Sequence, residues 1–140
     1  MPLHTEINFE DEICSALAAQ GWLYSANDAD YHRQLALFPE DAIAWVQATQ
    51  PDAWEVLTKN HGAAAGDTLS LRLREALNQR GTLDVLRHGF DMLGLRTTLK
   101  LAQFKPALAI NPDILAKYAA NRLRVVRQVH YSQHNHNSID

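Results

Sequence analysis

The stretch from Leu123 to Asp140, LRVVRQVHYSQHNHNSID, places the first constraint on how this chain can fold. Leu123, Val125, Val126 and Val129 interleave with Arg124, Arg127 and Gln128, and a β-branched run of this kind favours a half-buried strand over a helix. The residues from Ser132 to Ser138 are Ser, Gln, Asn and His without an apolar anchor, which is the chemistry of a turn or loop. Ile139 and Asp140 then read as the opening of a returning strand. Such a hairpin has to pair with further strands and pack against something apolar, so the chain must build a sheet as well as helices.

The preceding residues supply both. Thr5 is a candidate N-cap for a helix from Glu6 to about Gln20, with Glu6, Glu10, Asp11 and Glu12 near the positive end of its dipole and Gly21 as its stop. Phe9, Ile13, Ala16, Leu17 and Gln20 recur at helical spacing and are expected to face the core, with Cys14 at the margin of that face and Glu10 on its border. Trp22 to Tyr24 reads as a short edge strand before the turn-prone SANDAD stretch. Pro39 and Pro51 stand at the starts of two helices carrying Trp45 and Trp54, which are expected to be packed, and Asp67 or Thr68 can cap a third that Gly81 ends. Leu83, Val85, Leu86 and Phe90 form a short amphipathic element. Leu95, Thr97, Leu99 and Leu101 alternate with Arg96, Thr98, Lys100 and Ala102, and this period of two predicts a strand from Leu95 to Phe104. Asn111-Pro112-Asp113 starts a last helix, ending near Asn121, which delivers the chain to the strand at about 123–131. Two strands that could be neighbours, a helical insertion at about 28–80 and flanking helices predict an α/β or α+β layer architecture.

With 140 residues the chain has room for one domain or part of one. No apolar run approaches the length that spans a bilayer, and the acidic start MPLHTEINFEDE lacks the basic and apolar stretches of an export signal. With a single cysteine there is no disulfide framework to build, so a cytoplasmic location is expected. A net charge of -3 excludes a protein that binds polyanions with its whole surface. Any phosphate contact has to be local, and Lys117, Arg122, Arg124 and Arg127 are the candidates, although a solvated helix end and strand face also accounts for them.

Other chemistry is thinly supported. His130, His134 and His136 with Asp140 have spacings that could ligate Zn²⁺, but they sit in a turn with no partner to orient them. The stretch from His61 to Gly66 lacks the Lys-Ser/Thr pair of a phosphate loop. Cys14 lies near acids, which would raise its thiol pKa, and His88 reads as a structural or surface residue. From spacing alone, Asp140 is either a solvated acid or a metal ligand of nuclease type.

Three segments bear on that choice: TEINFEDEICSALAAQGW from Thr5 to Trp22, RGTLDVLRHGF from Arg80 to Phe90, and Asn121 to Asp140. Together they resemble the N-terminal region of the R (restriction, motor) subunit of type I restriction-modification enzymes, over nearly the whole chain. That resemblance implies a PD-(D/E)xK nuclease domain with Asp140 as the first catalytic and metal-binding Asp and Glu10, on the first helix, as an acid approaching the metal. It also implies Mg²⁺ as cofactor, DNA as substrate, and M (methyltransferase) and S (specificity) subunits as partners. ATP is implied only for helicase-like motor domains downstream. The acid-x-Lys that the family carries on the following strand is not among these 140 residues, so an incomplete sheet and an inactive piece of a nuclease domain are expected. The alternative is a helical module that docks onto the M and S subunits or another partner, with the tryptophan-bearing insertion as its contact surface.

Overall fold

A computed structural model describes residues 3–132 and 134–139, and the chain in it is α+β. It divides into two compact units, one from the segments up to Gln34 and from Arg122 onward, the other from Leu35 to Asn121.

In the first unit, helix α1 (Leu3–Ala19) is followed by strand β1 (Leu23–Ser25), and the returning segment carries β2 (Arg124–Val126), β3 (Val129–His130) and β4 (Ser138–Ile139). The helix stops at Gly21, whose φ of +94° lets the Trp22 amide turn back to donate to the Leu17 carbonyl at 3.1 Å. Thr5 lies inside α1, so it does not cap the helix. The buried face also differs from the expected one. Cys14 is buried, with Glu10 and Leu17 half-buried one turn to either side, while Phe9 and Ile13 are exposed. Cys14 therefore stands at the centre of the face and not at its margin, because this face packs toward polar as well as apolar groups.

β1 and β2 are paired in parallel, with Leu23 opposite Arg124, Tyr24 opposite Val125 and Ser25 opposite Val126. The strand expected over 123–131 is divided at Arg127 and Gln128, where Gln128 takes a φ of +54°, and β3 then pairs antiparallel with β4. The turn between them is organised by its own side chains: Ser132 Oγ accepts from the amides of His134 and Asn135, and Asn135 Oδ1 accepts from that of Asn137.

The second unit holds α2 (Pro39–Thr49), α3 (Pro51–His61), α4 (Ala65–Arg80), α5 (Thr82–His88) and α6 (Pro112–Ala119), with a 3₁₀ turn at Gly62–Ala64. Each of α2, α3 and α6 begins on its proline, where the missing N–H costs no helical bond. Asn111 caps α6 by accepting from the amides of Asp113 and Ile114. α4 begins two residues before Asp67, so neither Asp67 nor Thr68 is its cap; the Thr68 hydroxyl instead donates to the Ala64 carbonyl. Val46, Leu57, Leu69, Leu73, Val85, Phe90, Met92 and Leu99 close the core, each large side chain contributing about 1.5–3 kcal/mol by leaving water. Trp45 is buried, and Trp54, partly buried, packs against the same core.

The segment from Leu95 to Phe104 is not a strand. Leu99 is buried and Leu95 and Leu101 pack beside it, so the alternation does mark an inward side. Its only ladder contact among the described residues is an isolated bridge in which Leu99 and Phe90 exchange both backbone bonds. Lys100 and Gln103 each have their backbone N–H and C=O held by a side-chain amide. Gln50 accepts from the Lys100 amide at 2.8 Å and donates to the Lys100 carbonyl at 2.9 Å, and Asn121 makes the same pair with Gln103 at 3.0 and 2.7 Å. Accordingly the strand that pairs with Arg124–Val126 is β1, and the two strands expected as neighbours lie in different units.

Candidate functional site

A polar cluster of the first unit forms where the chain leaves β2. Arg127 donates from Nε and Nη2 to Glu10 Oε2 at 3.0 and 2.8 Å, and from Nη1 to Asp11 Oδ1 at 2.6 Å. Gln128 Nε2 donates to Glu10 Oε1 at 3.0 Å. Two residues of α1 are thus joined to the end of β2 across more than a hundred positions of sequence. The guanidinium and the Glu10 carboxylate are each about one fifth exposed, 21% and 19%, so the pair is shielded but not desolvated. Hydrogen bonding to Glu10, then to Tyr24, with the Asp11 charge nearby, raises the Arg127 pKa above its already high ordinary value. Arg127 is therefore a permanent cation at this place. Gln128 accepts a left-handed backbone, which costs a non-glycine residue of the order of 1 kcal/mol, while its side chain reaches Glu10.

Beneath α1 a cavity of about 180 Å³ is lined by Asp11, Cys14, Ser15, Ala18 and Tyr24. On the far end of the returning segment, His130 uses its backbone N–H and its Nδ1 on the same oxygen of Asp28, at 2.7 and 3.0 Å. The backbone bond chiefly, then the side-chain bond and charge of His130, lower the Asp28 pKa below 3.8 against the opposing effect of burial.

The candidate residues distribute as follows. Glu10 sits within the cluster just described, with both oxygens occupied by Arg127 and Gln128. Asp140 lies outside the described residues. Of the basic candidates, Arg127 is spent on Glu10 and Asp11, and Arg124 donates to the Ser25 hydroxyl at 2.8 Å. Arg122 is exposed at the start of the returning segment, and Lys117 belongs to α6 in the second unit. His130 is engaged by Asp28 while His134 and His136 are exposed in the turn, and no group of three or more His, Cys, Asp or Glu side chains is arranged to hold a metal among the described residues. The Glu10 and Asp11 carboxylates converge on the Arg127 guanidinium.

Two partnerships escaped the sequence reading. Arg127 with Glu10, and His130 with Asp28, join distant segments and leave no trace in local spacing. A third was legible: Asp84 stands four residues from both Arg80 and His88, the helical spacing at which side chains meet. It accepts from Arg80 Nε at 2.7 Å and lies 2.9 Å from His88 Nδ1. The Arg80 bond first, and then that of His88, lower the Asp84 pKa.

Compared with known proteins, the chain matches no family model, no curated protein and no solved structure. No described helix is long and apolar enough to cross a membrane.

Proposed function

We propose that this chain is the opening part of the endonuclease domain of a type I restriction R subunit, of the PD-(D/E)xK kind. It would act in the cytoplasm on unmodified DNA in company with M and S subunits. The observation that carries this reading is the joining of α1 to the end of β2. In the nucleases that this region resembles, a Glu on the first helix often approaches the metal site. Here Arg127 and Gln128 hold Glu10 at that end of β2. The chain then runs through the β3–β4 hairpin, in which Ile139 lies opposite Val129, the residue after Gln128. The parallel β1–β2 pair with α1 beside it is consistent with the same architecture, and the motifs from Thr5, Arg80 and Asn121 onward supply the family reading.

In this reading Asp140 contributes one carboxylate to a Mg²⁺ site, Glu10 is an accessory acid, and ATP is used by motor domains that these residues do not include. Arg127 fixes the Glu10 carboxylate in orientation and balances its charge. Hydrolysis needs the second acid and the Lys, so the 140-residue protein is expected to leave supercoiled plasmid DNA intact with Mg²⁺ present, and nicking by the pure protein would refute this division of the site. The reading itself is tested by the codons that follow Asp140 in the source genome. A strand followed by acid-x-Lys is expected, and a stop codon directly after Asp140 would remove the catalytic assignment. Docking through the tryptophans has less support, since Trp45 is buried and Trp54 is partly buried against the core.

A further inference from the structure

The basic side chains expected to meet phosphate are largely committed within the first unit, which directs attention to the second. Between Arg80 and Lys105 five basic residues stand against two acids, Asp84 and Asp91, in a chain whose overall balance is acidic. Four of the groups in this stretch come together. A shallow, open concavity of about 420 Å³ is lined by Arg80, Leu83, Asp84, Arg87 and His88 with the residues between Arg80 and Leu83. Lys100, from the later segment, donates from Nζ to the backbone carbonyl of His88, one of the lining residues, at 3.1 Å.

The charges here do not cancel. Asp84 is shared by Arg80 and His88, and the second arm of Arg80 donates to the Gly89 carbonyl at 2.8 Å. Lys100 is paired with a neutral carbonyl, and Arg87 is exposed and makes no hydrogen bond or ion pair among the described residues. Two positive charges are therefore not offset by an acid, Arg87 in the lining of the concavity and Lys100 at the His88 carbonyl beside it, while the Arg80 guanidinium is held by Asp84 and the Gly89 carbonyl. His88 turns its Nδ1 to Asp84, which leaves Nε2 directed away from that partner, and its side chain is 66% exposed.

We propose that this face, formed by Arg80, Arg87, His88 and Lys100, binds the sugar-phosphate backbone of duplex DNA. An open surface with separated cations suits a linear polyanion that crosses it, and a guanidinium and an ammonium at its rim can each displace condensed counterions from a phosphate. The proposal takes DNA as the polyanion from the nuclease reading and assigns its contact to residues that reading did not include.

The test is fluorescence anisotropy of a labelled 20-bp duplex titrated with the 140-residue protein over a range of low salt concentrations. The duplex is expected to bind without strong sequence preference. Arg87→Ala and Lys100→Ala are each expected to weaken binding and to reduce the slope of log K against log salt by about 1, while Lys59→Ala, a change to the exposed Glu55-paired lysine of α3, leaves both unchanged. Arg87 makes no bond to another described residue, so circular dichroism and the melting temperature of Arg87→Ala should match the parent. Absence of duplex binding, or wild-type affinity and slope in both variants, overturns the assignment. Neither result touches the codons after Asp140, so the nuclease reading fails or stands separately.

Discussion

The Glu10 carboxylate receives three hydrogen bonds, two from Arg127 and one from Gln128, and the consequences of that arrangement differ for each partner. Removing the guanidinium takes away the cation that Glu10 and Asp11 share, whereas removing Asp11 leaves both Arg127 bonds to Glu10 Oε2 in place. Arg127→Ala should therefore lower the melting temperature more than Asp11→Asn, as measured by thermal unfolding at low salt. Asp28 offers a pH test. Its folded pKa is depressed, so its contribution to stability is present in full above the ordinary carboxylate value of 3.8 and is lost as the pH falls from there through the folded value. Asp28→Asn should accordingly be less stable than the parent at neutral pH and should show a shallower loss of stability on acidification. Gly89 is a different kind of residue-scale constraint. Its φ is +72° and a Cβ there would run into the Leu99 carbonyl oxygen, so Gly89→Ala should cost more than about 1 kcal/mol in a denaturant titration.

At the scale of elements, what could be read from the sequence was whatever local chemistry decides. Proline fixed the starts of α2, α3 and α6, glycine the ends of α1 and α4, and Trp22 to Tyr24 marked β1 to within a residue. The stripe of α1 was displaced because Cys14, a small residue among acids, packs inward while Phe9 remains in water. The Leu95–Leu101 alternation gave the three inward leucines but not Thr97, which is exposed, and it gave the structure wrongly, since a strand is defined by its hydrogen-bond partner and the partners here are Gln50 and Asn121, distant in sequence. The candidate site was legible to the same degree: Glu10 stood out by its place on the first helix, but no spacing connects it to Arg127. Because the Asn121 pair is more buried than the Gln50 pair, Asn121→Ala should cost about 1–3 kcal/mol and Gln50→Ala less, in parallel urea titrations.

Across the whole molecule, the apolar core belongs to the second unit, whereas the polar cluster of Glu10, Asp11, Arg127 and Gln128 belongs to the first. Leu57, fully buried between α2 and α4 neighbours, should lose about 2–5 kcal/mol on replacement by Ala, an effect large enough to unfold a domain of ordinary stability. The amides of Gln50 and Asn121 also bear on how copies of this protein behave in a crowded solution. By taking the N–H and C=O groups of Lys100 and Gln103, they deny an incoming peptide the template along which β-aggregates grow. The Gln50→Ala/Asn121→Ala protein, with those backbone groups released, is expected to form fibrils faster than the parent in a fibrillation assay.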